Sequence, residues 1–326
     1  MNSRISDFLR KFGSLIGLLL LCGILSVWSD KFRTIPNLLN ILRQSSITAI
    51  LALAVLLPIL TGGIDLSVGS IQGFTMCFMA YLVVRSGIPV LSFSVVGILL
   101  TLLVGAGMGF ANGLLLTKLK LPHPFISTLG MLNIARGLAL IITDGMPISG
   151  LPPAVRWLGS ADVHGFPVCA LLVIAVCAVY YGILNHTPFG RYVYSIGGSR
   201  EAARLSGVNV DRVMNLVFVS AGFLSALAGV VLAGRVNSGY PLAGLGSELD
   251  AIAGAVIGGA SLFGGEGTVI GTMIGVLIMG VLRNGLNLLN VSSFWQQVII
   301  GAVVVLAVWV DVLRRSAEYK AAAKRM

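Results

Sequence analysis

The segment FPVCALLVIAVCAVYYGILN, residues 166–185, contains no charged side chain and runs directly into the polar stretch HTPFGRYVYSIGGSREAARLSGVNVDRV, residues 186–213. About twenty apolar residues in an α-helix are enough to cross a bilayer core of about 30 Å. The polar stretch is the longest charged and polar interruption in a chain that is otherwise almost continuously apolar. The contrast predicts a membrane helix followed by a structured, water-facing element that could dock a soluble partner.

The composition of the whole chain indicates a polytopic membrane protein. Hydrophobic residues make up 56% of the 326 residues and charged residues 10%, whereas soluble proteins carry about a quarter charged residues. With 166–185, the further apolar stretches predict an all-α fold of about ten transmembrane helices, forming a single domain over residues 1–326. These stretches lie near residues 12–28, 46–61, 69–85, 90–117, 124–143, 213–233, 250–263, 268–283 and 295–311.

The distribution of basic residues predicts the orientation of these spans. Most of the 22 Lys and Arg residues lie in segments on the side that holds both termini and the polar stretch. Because cytoplasmic loops are enriched in Lys and Arg, both termini and a loop over residues 186–212 are expected to be cytoplasmic. Lys31, Arg33 and Arg43 fall on the opposite side, which indicates that the second span could begin elsewhere than at residue 46.

Several other classes of function find little support in the sequence. The net charge of +10 is spread over loop ends, without the basic patch and interleaved aromatic residues that nucleic-acid binding needs. The glycine-rich run GGASLFGGEGT, residues 258–268, has the G-x-x-x-x-G spacing of a phosphate loop, but Gly265 and Glu266 replace its Lys and Ser/Thr. The chain is therefore not expected to be an enzyme, to hydrolyse ATP or to bind a cofactor itself.

The cysteines give no sign of a disulfide or a metal site. All four lie in apolar runs without C-x-x-C spacing, so they are expected to be packing residues. They are Cys22, Cys77, Cys169 and Cys177.

Residues in the polar stretch predict a short capped helix. Ser199 suits the N-cap position, the following residues to Ser206 can run as a helix, and Gly207 suits the left-handed conformation that ends one. Asp211 can then cap the next span. A helix with one nearly bare face permits close approach by another protein, although a solvated connector with good capping explains the same residues. The candidate docking residues are Ser199, Arg200, Glu201, Ala202, Ala203, Arg204 and Gly207.

A second unusual segment, TGGIDLSVGS, residues 61–70, lies between two apolar stretches. It is typical of a broken or re-entering helix, because Gly62 and Gly63 can adopt conformations that are forbidden to other residues. Asp65 can cap a helix that begins at the next residue or at Ser67. An ionisable group at membrane depth costs roughly 2.5 to 3.5 kcal/mol, so it normally faces a cavity or a partner. The alternative is an ordinary turn at the cytoplasmic surface.

Polar side chains within the spans are sparse. A polar solute that leaves water must exchange its hydrogen bonds, so these side chains could line a path, or they could simply bond between helices. Arg136 has no acidic residue three or four positions away, so its partner must be tertiary, a dimer neighbour or water. The candidates for a translocation path or helix break are Gly62, Gly63, Asp65, Ser67, Asn112, Asn133, Arg136 and Asn284.

Motifs along nearly the whole chain resemble the ribose, xylose and allose branch of the sugar ABC importer permeases. E-A-A-R-L-S-G at 201–207 is similar to the Glu-Ala-Ala-x-x-x-Gly core of the coupling loop that contacts the ATPase subunit, but the downstream Ile-x-Leu-Pro portion is missing. The D-allose permeases are expected to be nearest within the branch. The other motifs that carry the resemblance are NLLNILRQ at 37–44, TGGIDLSVGS, HTPFGRY at 186–192, GGSREAARLSGV at 197–208, ELDAIA at 248–253, GGASLFGGEGT and NGLNLL at 284–289.

The resemblance implies a permease in the bacterial inner membrane that takes a monosaccharide from a periplasmic sugar-binding protein. It also implies a homodimer around the sugar path and a separate cytoplasmic ABC ATPase subunit that binds ATP and Mg. An ion-coupled secondary sugar transporter and a membrane anchor that only gathers partners remain the alternatives. The substrate could also be a furanose or a sugar-like signalling molecule.

Overall fold

The computed structural model describes the backbone of residues 3–87 and 94–323, and within them the chain forms thirteen α-helices. The helices are α1 Ser3–Trp28, α2 Ile35–Leu60, α3 Val68–Ala80, α4 Ser94–Thr117, α5 Pro124–Thr143, α6 Pro153–Ser160, α7 Val168–His186, α8 Pro188–Gly198, α9 Arg200–Leu205, α10 Val210–Val236, α11 Ser247–Ile257, α12 Val269–Leu288 and α13 Ser293–Ala323. A 3₁₀-helix over Asp30–Arg33 precedes α2, and a π-helical turn over Tyr81–Arg85 extends α3.

Four strands of two residues each form two antiparallel ribbons between the helices. They are β1 Ile148–Ser149, which pairs with β4 Ser238–Gly239, and β2 Asp162–Val163, which pairs with β3 Phe166–Pro167. The fold is therefore mostly helical, as the hydropathy pattern predicts.

Seven helices in the described part of the chain are long and apolar enough to cross a membrane: α2, α3 with its π-helical extension, α4, α5, α7, α10 and α12. Two shorter apolar helical stretches, Gly13–Trp28 and Ser293–Trp309, lie in α1 and α13. The expectation of a polytopic membrane protein is confirmed, while the figure of ten spans and the cytoplasmic position of the termini stay predictions. The start of the predicted span 90–117 and the tail residues Lys324 and Arg325 lie outside the described residues.

The predicted span at 250–263 does not form a helix of spanning length. Its helix, α11, has 11 residues and ends at Ile257, which gives a length of roughly 16 Å, about half of a bilayer core. Gly258 and Gly259 follow, and Gly259 has a φ of +94° that most residues avoid. Residues 258–268 therefore form a turn that leads into α12.

The second span begins earlier than the sequence indicates. α2 starts at Ile35 rather than near residue 46 and includes Arg43, whose guanidinium donates to the Asp162 carboxylate. This ion pair explains how a basic residue is accommodated in a helix that is otherwise apolar.

α2 is the central helix of the chain. From Ile50 to Leu60 its side chains are at most 2% exposed, because α7, α10, α11 and α12 pack around it. A helix that is apolar on all sides is typical of the interior of a membrane protein.

The described cysteines have free thiols. Cys77 and Cys169 are buried, and Cys22 and Cys177 are half-buried. The prediction that they are packing residues is confirmed, and no group of metal-ligating side chains occurs among the residues that the structure describes.

Glycines bring α4 and α10 into close contact. A Cβ atom added to Gly109 would overlap the carbonyl oxygen of Phe218, and one added to Gly222 would overlap that of Gly105. Such close backbone approach is typical of small residues between membrane helices, where packing rather than water exclusion drives association.

Gly109→Ala should destabilise the protein by about 1 to 3 kcal/mol, since the added methyl group forces α4 away from α10. Gly107→Ala on the same helix is the matched control, because its Cβ would meet no atom within 4 Å. Thermal unfolding in detergent measures the difference. Equal midpoints for the two variants would contradict the close contact described above.

Candidate coupling surface and buried polar site

The polar stretch that follows α7 folds into two helices. The sequence predicts α9 but not α8, which begins with Pro188 after Thr187, whose hydroxyl accepts a hydrogen bond from Gly190 N at 3.3 Å. α9 has the predicted caps: Ser199 Oγ accepts from Ala202 N at 3.2 Å, and Gly207 has a φ of +86°.

Three details of the predicted cap region differ in the structure. α9 ends at Leu205, one residue earlier than expected, and Asn209 rather than Asp211 caps α10. The side-chain oxygen Oδ1 of Asn209 accepts a hydrogen bond from Arg212 N at 3.0 Å, and Asp211 lies inside the first turn of α10. Ala202 and Ala203 do not form one bare face of α9, because Ala202 is exposed while Ala203 is buried, with 1% of its surface exposed.

α9 presents charged side chains to its surroundings. Arg200, Glu201 and Arg204 are exposed, and Leu205 is 83% exposed. Among residues 3–87 and 94–323, no ion pair involves these three charges. They are therefore available to a partner that carries complementary groups.

α8 connects this surface to the core. Val193 and Ile196 are buried, and Tyr194 OH donates to the carbonyl of Gly267 at 2.8 Å. A Cβ atom on Gly197 would overlap the carbonyl oxygen of Leu60, the last residue of α2. α8 therefore lies in backbone contact with the end of the central helix.

Three glycine-rich motifs that are far apart in sequence meet at this point. Gly265 N donates to the Leu60 carbonyl at 2.9 Å, and a Cβ atom on Gly264 would come 2.8 Å from Gly62 N. The backbone is thus in close contact at one point among three segments: the run 258–268, the GG pair at 197–198 and Gly62. The phosphate-loop spacing of residues 259–264 is explained by this packing.

Residues 61–67 form an extended connection between α2 and α3. Gly62 has a φ of +76°, and Gly63 N donates to the Pro58 carbonyl at 2.9 Å. Asp65 is 1% exposed and Ser67 is fully buried, so the alternative of a surface turn does not hold. The segment is a helix break within the protein, and α3 begins at Val68, slightly later than predicted.

Asp65 organises this break. Its Oδ1 accepts hydrogen bonds from Ser67 N at 2.8 Å and Ser67 Oγ at 2.6 Å, and Asn112 Nδ2 donates to Ser67 Oγ at 2.9 Å. Asp65 Oδ2 and Asn112 Oδ1 have no hydrogen-bond partner in the described part of the chain.

Arg136 forms the centre of a second polar cluster. Its Nη1 donates to the Ala243 carbonyl at 2.9 Å and its Nη2 to Ser70 Oγ at 3.1 Å, which confirms the expectation of a tertiary partner. The Glu248 carboxylate is nearby and lies against Gly69 on α3.

Two buried members of this cluster lack hydrogen-bond partners. Neither amide atom of Gln72 has a partner among the described residues, and the same holds for Glu248 Oε2. Neither residue is among the candidates predicted from the sequence, yet each carries a signal: Gln72 is the one amide in α3, and Glu248 opens the ELDAIA motif. Unsatisfied buried groups of this kind indicate a place where water or a ligand can bind.

The two remaining candidates lie elsewhere. Asn133 is exposed and donates to the Leu129 carbonyl of its own helix at 3.1 Å. Asn284 exchanges hydrogen bonds with Asn37 at 2.8 and 3.0 Å, which joins α12 to α2. The structure therefore brings together Asp65, Ser67 and Asn112, and places Arg136 beside Ser70 on the same helix that Ser67 caps.

Comparison with known proteins agrees with this architecture. Residues 37–308 match the family model described as the permease component of a branched-chain amino acid transport system. The ribose import permease protein RbsC of Bacillus subtilis (strain 168) is 45% identical over 305 residues, covering 93% of each chain. No solved structure matches the chain.

Two further relatives are named for other sugars. The D-allose transport system permease protein AlsC of Escherichia coli (strain K12) is 36% identical, covering 93% of this chain and 92% of its own. The xylose transport system permease protein XylH of Haemophilus influenzae (strain ATCC 51907 / DSM 11121 / KW20 / Rd) is 33% identical, covering 93% and 96%. Together with the seven apolar helices in the described part of the chain, these matches show that the chain is a multi-pass inner-membrane protein and belongs to this family of ABC importer permeases.

Proposed function

We propose that this chain is the transmembrane permease subunit of an ATP-driven ABC importer that moves a monosaccharide from the periplasm to the cytoplasm. Two copies enclose the sugar path, a periplasmic sugar-binding protein delivers the substrate, and a separate cytoplasmic ABC ATPase subunit binds ATP and Mg. The observation that carries the proposal is α9, a short capped helix whose exposed charges have no ion pair among the described residues.

The contacts of α8 support a mechanical role for α9. Closure of the ATPase would push on α9, and α8 would transmit the displacement because it directly precedes α9 and touches the end of α2 at Leu60. The connection at 61–67, which contains Asp65, follows Leu60 directly and would therefore move with it. A rigid-body shift of packed elements is a common way to convert a local push into a tilt of attached helices.

The polar clusters beside α3 support passage of a polyhydroxylated substrate. Sugar hydroxyls that leave water need new hydrogen-bond partners. Asp65 Oδ2, Asn112 Oδ1, the Gln72 amide and Glu248 Oε2 are buried acceptors and donors without a partner in the described chain. They lie on α3 or on segments packed against it, and they would offer such partners once the surrounding helices tilt.

The relatives favour a ribose-like substrate over the allose-like one that the sequence motifs alone suggest. Permeases named for ribose are 42 to 45% identical to this chain, and the one named for D-allose is 36% identical. Uptake of radiolabelled ribose, D-allose and xylose into proteoliposomes with the cognate ATPase and binding protein tests this. Ribose should be taken up fastest, and transport of none of the three would exclude this substrate class.

Two alternative functions have distinct outcomes in the same assay. An ion-coupled transporter would accumulate sugar from an ion gradient without the ATPase subunit. A membrane anchor would assemble with its partners but transport nothing. We expect uptake only when the ATPase subunit, ATP and Mg are all present.

Glu201→Lys should abolish most sugar uptake, since it reverses the charge in the first turn of α9 and also opposes the helix macrodipole. Gly207→Val should have a similar effect, because a β-branched residue does not tolerate the left-handed conformation at this position. We expect at least about a tenfold loss of ATP-dependent uptake, with membrane insertion and sugar-binding-protein docking retained.

Asp144→Lys provides the control charge reversal, since Asp144 is exposed and lies at the far end of α5, beyond the predicted outer membrane surface. Its ion pair with Arg85 is 3.9 Å long and joins two exposed side chains, so its loss should cost little. This variant should transport normally. If uptake by Glu201→Lys equals uptake by Asp144→Lys, α9 is not the coupling helix.

A further inference from the structure

Two cavities adjoin each other along the face of α10 that is turned toward α4 and α7. One, of about 430 Å³, lies between the ends of α4 and α10 and is lined by polar groups, among them Lys118, Asn215 and Arg212. The other, of about 560 Å³, lies between α4, α7 and α10, and its lining is apolar apart from Tyr180 and Ser220. Leu216 and Val219 line both cavities, so the two form one continuous groove with a polar end and an apolar end.

The dimensions of the groove match one leaflet of a bilayer. Arg212, Leu216, Val219 and Phe223 are spaced by three or four residues and therefore share one face of α10. The helix rises roughly 16 Å from Arg212 to Phe223, about half of a hydrocarbon core of about 30 Å. This is the depth that the acyl chain of a lipid in a single leaflet reaches.

The polar end has the charges that a phosphate group needs. Lys118 and Arg212 are exposed, and neither forms an ion pair within residues 3–87 and 94–323. Asp211 lines the same cavity, so the three charged side chains together leave one net positive charge. The amides of Asn209 and Asn215 add hydrogen-bonding groups at the same end.

We propose that this groove binds an anionic glycerophospholipid. Its phosphate lies between Lys118 and Arg212, and one acyl chain occupies the apolar cavity against Leu216, Val219 and Phe223. The change from basic to apolar lining along a single helix face is the observation that selects a lipid over a soluble anion or a protein helix. Because Arg212 lies five residues after Gly207, the bound headgroup adjoins the end of α9 and stiffens the start of α10.

The experiment measures lipid binding to the purified full-length protein by native mass spectrometry, with dioleoylphosphatidylglycerol, dioleoylphosphatidylcholine and inorganic phosphate as probes. The phosphatidylglycerol should bind at one site per chain and more tightly than the phosphatidylcholine, and phosphate alone should not bind. The double variant Lys118→Gln/Arg212→Gln should lose roughly tenfold or more in affinity, since each basic residue near an anionic headgroup contributes about fivefold. The control Lys120→Gln/Arg191→Gln removes the same charge from exposed residues outside the groove and should bind normally.

The apolar end is tested separately. Ala175→Phe fills the cavity and should prevent binding, while Ala178→Phe on the same helix, exposed but outside the groove, should not. Thermal unfolding of each variant without lipid confirms that it is folded. Equal binding by the two phenylalanine variants, equal affinity for both lipids, or a change of oligomeric state in Ala175→Phe with lipid binding unchanged would overturn the proposal, the last because it would assign the groove to a second copy of the chain.

Discussion

Other helices enclose α2 from Ile50 to Leu60, and this enclosure determines where the helix break, the polar clusters and α8 lie. In a membrane, an apolar side chain gains little by leaving lipid for protein, so close packing must hold the helices together. The chain meets this requirement with glycines, at Gly105, Gly109 and Gly222 between α4 and α10 and at Gly197 against the end of α2. α2 thereby has a fixed position, and its last residue, Leu60, becomes the point where three separate glycine-rich motifs converge.

The helix break after α2 is possible only because of that enclosure. Irregular backbone at membrane depth is tolerated where it is buried in protein or lines a cavity, and residues 61–67 meet this condition with Asp65 and Ser67 almost wholly buried. The break then places polar side chains in the interior, where Asn112 bonds to Ser67 and Arg136 to Ser70. The polar clusters of the candidate path thus depend on the helix break, and the break depends on the packing around α2.

Features that depend on local chemistry could be predicted from the sequence, and features that depend on tertiary contacts could not. Ser199 and Gly207 determine the ends of α9 locally, and the prediction of both is confirmed. The stretch 250–263 is apolar because protein surrounds it, and hydropathy does not distinguish this from a membrane span. Its early end at Gly258 comes from backbone contact with Gly271 on α12. Gln72 and Glu248 could not be assigned to a polar cluster from the sequence, because that cluster forms only where α3, α5 and α11 come together.

In the proposed function, α9 lies on the cytoplasmic side of the membrane and binds a separate ATPase subunit. The most direct test replaces the four native cysteines, introduces Ala202→Cys, and measures labelling by a membrane-impermeant maleimide in right-side-out and inside-out vesicles. We expect labelling in inside-out vesicles only, and protection of the thiol when the cognate ATPase subunit is added. Labelling in right-side-out vesicles, or full labelling in the presence of bound ATPase, would contradict it.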